Sequence, residues 1–501
     1  MVQIERERDP EVLRQVALLL DRENRRLHER LEKLVREIAQ LKGADAAPLQ
    51  LQIDELRELL AQREQTIFGA SSEKRPRKEP APEQEPPPRK GHGPTPQPHL
   101  PVVEQLHTLQ EDQRACPICE GSLEPMGDQA EESEEISVVQ RSFVLVKHRR
   151  QKYRCRCNAA VVTAPAPPKL VPGGRYSTDF AVEVAVSKYA DHLPLERQVE
   201  IMLRQGLETS SQSTWDQINV LARELRPAYE ALHPRILESP VVHADETRWQ
   251  LMTRKGSSRW WVWSVASRDA VFYRISSTRS AKAARPLLSG YRGVVMCDGY
   301  AAYKTLARAG PGFDLAHCWA HARRKFIEAE SGYAEACKPL LEWIGKLFAI
   351  EREAPFSQMP ECPETLELRR RLRDEHSRPL VREILTEARR IEKTVLSRSS
   401  LGKAVAYLLA HWQGLTRFLD DPRVPLDNNL AERQLRGVVL GRKNHYGSRS
   451  RRGTEVAALF YSLIDTAKLL GVEPRHYLLQ ATRAALHTPG TVLLPHHLTT
   501  N

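Results

Sequence analysis

No stretch of this 501-residue chain approaches the ~20 consecutive apolar residues that a membrane-crossing helix needs, which excludes a helical membrane protein and predicts no membrane partner. The opening MVQIERERDPEVLRQ also lacks the apolar core of a signal peptide, so an intracellular, cytoplasmic protein is expected. In that reducing setting the eight cysteines start as thiols rather than disulfides. No internal repeat is present, so a solenoid is not in view. Acidic residues are in the minority, with 64 Asp plus Glu against 75 Lys plus Arg and a formal charge of +11, and that balance favours an anionic partner, nucleic acid first. The length exceeds a single compact core and predicts about two to four domains.

What is there falls into successive textures of a multidomain α+β chain. In residues 1–70, Leu13, Leu20, Leu27, Leu34 and Leu41 recur at heptad spacing, with Ala17, Asn24, Leu31 and Ile38 between them, which is a coiled-coil seam. Asn24 inside that seam favours a parallel homodimer, while an amphipathic helix packed on its own chain is the alternative. Residues 71–101 hold ten of the 34 prolines among mixed charges and read as a disordered linker. Residues 102–170 carry Cys116 and Cys119 in a CxxC pair and Cys155 and Cys157 in a CxC pair, with β-like runs between them. That is a zinc-ribbon-like layout with one structural Zn2+, and Lys147, Arg149, Arg150, Lys152 and Arg154 on its last run add phosphate-seeking charge.

Residues 171–236 read as helices joined through Gly206, a helical DNA-binding region if they form a helix-turn-helix and an ordinary bundle otherwise. Residues 237–326 turn to strands in SPVVHADETRWQL, RWWVWSVAS, AVFYRISS and GVVMCDGYAAY. Residues 327–418 are helical, residues 419–485 return to the sheet with a helix carrying Glu432, and 486–501 form a tail.

The chemistry rests on three acids. Asp245 and Asp298 each follow an apolar run and are expected at the C-terminal ends of strands, where open α/β sheets place their sites. Glu246 points to the other face of its strand, so Asp245 is the member that can share a site with Asp298. Glu432 lies on a helix starting near Asp427 or Asn428 and flanks the apolar stripe of Leu435, Val438 and Val439. Three converging carboxylates need a cation, and hard oxygen ligands suit two Mg2+ or Mn2+ ions acting on a phosphodiester. Around Glu432 stand Arg433, Arg436, Arg442, Lys443, Arg449, Arg451 and Arg452, with no further acid before Glu455, as a grip for the DNA backbone. The alternative makes Asp245 and Asp298 turn or cap residues and pairs Glu432 with Arg436 one turn on.

HADET, CDGYAAY, DNNLAERQLR and GRKNHYGS resemble the insertion sequence 66 family of bacterial DDE transposases, and the likeness extends through IFGASSEKR, the CPIC region with KYRC, SKYADHLPLERQ and the tail LLPHHL. The resemblance implies a ribonuclease H-like α/β catalytic core with a helical insertion, and catalytic acids at Asp245, Asp298 and Glu432. It implies metal-dependent cleavage at transposon ends followed by joining of the freed 3′ hydroxyl to target DNA. It also implies Cys318 and His321 as a supporting Cys-x-x-His pair, accessory proteins encoded by the same element, and a nucleoid-associated protein working as a dimer or higher oligomer on DNA. An alternative assigns His317, Cys318 and His321 to a second zinc site, for which no fourth ligand is evident. The chain departs from the family's pattern at His445 and Tyr446, where more apolar residues are expected, and in closing its zinc segment with CRC. Competing functions are a DNA-binding regulator with structural acids, a nuclease that cuts without joining, and, least favoured, a two-carboxylate glycosidase.

Overall fold

A computed structural model describes residues 142–499, with 155, 157–160, 254–255, 310–311 and 355–361 left out, and only scattered residues between 15 and 136. The chain divides into two compact units, residues 1–69 with 143–501, and residues 70–142. The second unit is described at isolated positions, among which Val102, Val103, Ile118 and Ile136 are exposed. The Pro-rich linker, Cys116, Cys119, Cys155 and Cys157 lie outside the described residues. Two short antiparallel strands, β1 (Lys152–Arg154) and β2 (Val161–Thr163), flank the second cysteine pair. The run from Phe143 to Arg150, read from sequence as strand, has no regular structure.

In the N-terminal segment the described residues are helical, and Leu27, Leu31 and Leu34 pack on Ile53 and Leu56 of the same chain. Part of the heptad seam is therefore covered from within, by the second apolar series that follows Gly43.

The main sheet has five strands: β3 (Val241–Thr253), β4 (Gly256–Ala266), β5 (Val271–Ser276), β6 (Val294–Cys297) and β7 (Asp314–His317), in the order β5-β4-β3-β6-β7. The first three form an antiparallel meander, and β6 and β7 add parallel to β3 through crossovers containing the Ala281–Leu288 and Ala301–Arg308 helices. The short β6, VVMC, is buried at every residue, as a parallel strand covered on both faces must be.

The Asn429–His445 helix packs against β3 and β4, and the Arg451–Leu469 helix, buried almost all round, packs against β5. It also caps the sheet's edge, because Ser462 Oγ accepts from Tyr273 N at 2.8 Å and Thr466 Oγ1 from Val271 N at 3.1 Å. Those outward N–H groups of β5 would otherwise offer an open pairing edge. The helices Thr178–Tyr189, Leu195–Arg204, Ser211–Glu224 and Arg226–Leu237 join this same core, with Val182, Ile218 and Leu232 fully buried alongside Val242, Trp263 and Leu463. These four helices are thus spent on the sheet side of the molecule. The tail returns to it as well, since His496 Nε2 meets Asp269 Oδ2 at 3.0 Å.

A second core lies against the other end of the sheet. The helices Trp319–Glu330, Ala334–Glu353, Arg378–Glu392 and Ser400–Ala410 pack there around Phe326, Leu340, Ile384 and Leu408, with Val294, Met296 and Ala316 contributed by the strands, and the Pro363–Leu372 helix precedes the third of them. A π-helical turn, Arg373–Ser377, separates two of these helices. Its Arg373 is buried and forks onto Glu351 at 2.7 and 2.8 Å while donating to the carbonyls of Asp421 and Val424, both at 3.0 Å. Arg369, also buried, donates to Pro422 O at 2.8 Å. Each charge is compensated by fixed acceptors, and the pair staples the segment leading into the Glu432 helix.

Candidate active site

The parallel register of β3 and β6 aligns Val241, Val242 and His243 with Val294, Val295 and Met296. Carried two residues further, it brings Asp245 level with Asp298, the first residue beyond β6. Neighbouring strands stand ~4.8 Å apart and in-register side chains share a face, so the two carboxylates leave the sheet side by side. Asp245 does not end its strand, as the sequence reading had it: β3 continues to Thr253 through its hairpin with β4. What ends just before Asp245 is the parallel pairing, and the site opens there.

The turn after Asp298 is tightly held. Asp298 Oδ1 accepts from Tyr300 N at 2.8 Å, and Tyr407 of the second core donates its hydroxyl to Asp298 O at 2.6 Å. Gly299 sits at φ +91°, and a Cβ there would lie 2.4 Å from His411 Nε2, so both backbone and space demand glycine. Glu246 is turned away as the alternation of the strand requires. Its side chain is wholly buried, with Arg279 Nε and Nη2 on Oε1 at 2.9 and 2.6 Å and the Tyr303 hydroxyl on Oε2 at 3.0 Å. Glu246 is a structural ion pair rather than a free ligand.

Glu432 occupies the first turn of the Asn429–His445 helix. The residue that positions this helix is Asn428, which sequence reasoning treated as a cap. It is the N-cap by position, but its side chain caps nothing; Asp427 Oδ1 accepts from Asn429 N at 3.1 Å instead. Fully buried Asn428 donates Nδ2 to Ala244 O at 3.0 Å, holds His243 Nδ1 at 3.1 Å on its Oδ1, and donates its backbone N–H to Cys318 Sγ at 3.3 Å. With Nδ2 donating, Oδ1 accepts, so His243 carries its proton on Nδ1. Burial pushes His243 down to about 4, which keeps the ring neutral. The helix start is thereby lashed to the two residues preceding Asp245.

Burial pushes Asp245 up to about 8; the Glu246 amide opposes this, and the charges of Glu246, Asp298 and Glu432 add to it. Asp298 and Glu432, remote in the chain, therefore both act electrostatically on Asp245. Asp245, Asp298 and Glu432 offer carboxylate oxygens only, a donor set suited to Mg2+ or Mn2+.

Beside them lies a softer group. Ligand atoms of Cys318, His321 and Glu432 all fall within 4.8 Å of one another, with His321 Nε2 3.8 Å from Glu432 Oε1. Cys318 is buried and its thiol is pushed up to about 12, mainly by that burial. His317 does not join them: its ring faces His411 at 4.6 Å between centroids and its Nδ1 lies 3.7 Å from Cys297 Sγ. Trp319 is core, donating Nε1 to Leu415 O at 2.7 Å.

Of the basic residues, Arg433, Arg436, Lys443, Arg449 and Arg451 are exposed. Arg449 meets Glu196 at 3.3 Å. Arg442 is half-buried and donates to Arg248 O, while Arg452 donates to Asn219 Oδ1 at 2.8 Å and meets Glu455 at 3.2 Å, so these two also serve the fold. The residues missed from sequence are Asn428, Tyr407, Gly299 and His411. Only the DNN string and the glycine of CDGY hinted at them.

Comparison with known proteins adds two family matches. Residues 173–456 match the family described as "Transposase IS66 family", and residues 113–158 match the "zinc-finger binding domain of transposase IS66". Among curated proteins of Sinorhizobium fredii (strain NBRC 101917 / NGR234), the uncharacterized protein y4jD is 35% identical over 402 residues, 76% of each chain. The uncharacterized protein y4qI is 32% identical over 378 residues, covering 72% of this chain and 69% of the relative. The uncharacterized protein y4hP is 30% identical over 406 residues, covering 75% and 71%.

Proposed function

Because the chain belongs to the transposase IS66 family, we propose that it cuts DNA at the ends of its own mobile element and joins them to target DNA by a DDE mechanism, with Asp245, Asp298 and Glu432 as the catalytic acids. What supports this reading is the β3/β6 register, which sets Asp245 level with Asp298, together with the Asn428 bonds to His243 and Ala244, which tie the start of the Glu432 helix to the residues before Asp245. The strand order, three antiparallel strands followed by two parallel ones, supports a ribonuclease H-like core.

The donor set fits two hard divalent ions, and bound Mg2+ or Mn2+ would supply Lewis acidity at the scissile phosphodiester. Asp245, Asp298 and Glu432 would hold those ions, and Asp245 must give up its proton to do so. Asn428 keeps Glu432 in register with Asp245. His321, close to Glu432, and Cys318, bonded to Asn428, support the same helix start. Exposed Arg433 and Arg436 bind backbone phosphates near Glu432, and exposed Lys443, Arg449 and Arg451 bind them toward the far end of the same helix. Cys116, Cys119, Cys155 and Cys157 hold a structural Zn2+ within the matched zinc-finger segment. The heptad segment brings two copies together, since two ends must be paired.

The test uses a plasmid carrying the inverted repeats that border the gene. Wild-type protein with Mg2+ is expected to nick those ends and, given pre-cut ends, to join them to a second plasmid. Asp245→Asn is expected to lower cleavage at least ~10³-fold while end binding stays within about threefold. Equal cleavage by the variant removes the mechanism, and end binding without any cleavage turns the protein into a regulator.

A further inference from the structure

The stretch GRKNHYGS, residues 441–448, takes no part in the carboxylate site. It closes the far end of the Asn429–His445 helix, about 20 Å from Glu432 by helical rise. There the chain is pinned against β3: Ser448 N donates to Gln250 O at 3.0 Å, Met252 N donates to Ser448 O at 2.7 Å, and Trp249 Nε1 donates to Ser448 Oγ at 3.2 Å. Gly447 passes so close that a Cβ would lie 2.2 Å from Gln250 O. Out of this rigid loop projects Tyr446, 66% exposed and held at φ +58°. A left-handed residue after a helix is ordinarily glycine or asparagine, so a tyrosine here costs backbone strain and exposes an aromatic ring without packing to offset it.

Tyr446 stands on a cavity of about 660 Å³. Three helices begin on it, Leu195–Arg204, Ser211–Glu224 and Arg451–Leu469, and Leu195, Ser211 and Ser450 all contribute to its wall. Each helix start carries partial positive charge, and the first of the three has no side-chain cap. Lys188, Arg197 and Arg449 add full charges, opposed by Glu196 and Glu200, of which Glu196 is taken by Arg449. Burial pushes the Lys188 ammonium down to about 8, with the Glu196 charge opposing this and that of Arg449 adding to it. Trp215 supplies a second aromatic wall, and the amides of Asn444 and Gln212, which donate to His192 O at 3.4 Å and Asp216 Oδ1 at 2.8 Å, also line the cavity.

We propose that this cavity is a second nucleic-acid site, which takes one unstacked nucleotide of a DNA strand, its phosphate at the helix starts beside Lys188 and its base against Tyr446. The assignment rests on the reading of this protein as a DNA-processing enzyme. At ~3.4 Å per nucleotide the site grips the strand roughly six nucleotides from the bond that the acids would cut.

The test measures binding of full-length, zinc-loaded protein to fluorescent oligonucleotides by anisotropy, using single-stranded dT20 and a 20-base-pair duplex, with no metal-dependent chemistry required. Tyr446→Gly is expected to weaken dT20 binding about tenfold, to weaken duplex binding less, and to leave the thermal midpoint unchanged or higher because glycine relieves the backbone. Lys188→Gln is expected to reduce the salt slope of dT20 binding by about one phosphate contact. Tyr446→Gly binding dT20 like wild type overturns the proposal, as does an equal loss on strand and duplex, a lower thermal midpoint with unchanged affinity, or competition by thymidine monophosphate as strong as by the strand. Because these readouts are independent of cleavage, a wild-type protein that binds dT20 through Tyr446 yet cuts nothing overturns the catalytic reading and leaves this one standing.

Discussion

Asp245 keeps its proton up to about pH 8 because it is buried among other acids, and a divalent ion can enter only as that proton leaves. The affinity of the zinc-loaded protein for Mg2+ is therefore expected to rise about tenfold per pH unit below 8 and to level off above it, as titration calorimetry from pH 6 to 9 would show. Without the ion the sign for stability is opposite. The folded value lies above that of an unfolded aspartate, so the folded chain holds the proton more tightly and loses stability as pH climbs from about 4 to about 8. Asn428 belongs to the same scale. Asn428→Ala strips partners from buried His243 and from Ala244 O, and a loss of roughly 2–4 kcal/mol in denaturant unfolding is expected, with cleavage impaired beyond it because Glu432 loses its anchor.

The helix carrying Glu432 was legible as an element: its cap region, its apolar stripe and its basic face can all be read from local spacing, and the buried residues Leu435 and Val438 agree. Its connections were not legible, because they join residues far apart in the chain. The Asn428 to His243 bond spans 185 positions, and no periodicity carries that information. The same holds for β3, whose apolar start was read correctly but whose continuation to Thr253 depends on pairing with β4. The four helices between residues 178 and 237 can be read as helices whatever they pack on, so local sequence could not distinguish a free recognition helix from a wall of the main core. At the other end of the Glu432 helix, Gly447 is held by space and by its φ of +97°. Gly447→Ala is expected to cost roughly 2 kcal/mol or more in unfolding free energy, with the loop released from β3.

Across the whole molecule, two cores meet at the sheet, one supplying the wall of helices around β5 and the other the helices that brace Asp298 and the Asn428 segment. Buried Arg369 and Arg373 tie the second core to the chain entering the Glu432 helix, so the helices between residues 327 and 418 brace the start of that helix. Composition announced a basic protein but not where the charge would gather; the fold leaves Arg433, Arg436, Lys443, Arg449 and Arg451 open to solvent on one helix and the loop after it. The proposed function depends on one arrangement, the meeting of Asp245, Asp298 and Glu432. Its most direct test is a Mn2+ titration of the zinc-loaded protein followed by electron paramagnetic resonance, with Asp245→Asn, Asp298→Asn and Glu432→Gln beside the wild type. A wild-type protein that takes up about two ions, and a loss of at least about tenfold in Mn2+ affinity for each substitution, is the predicted result. Mn2+ binding that is the same in all four proteins would contradict it.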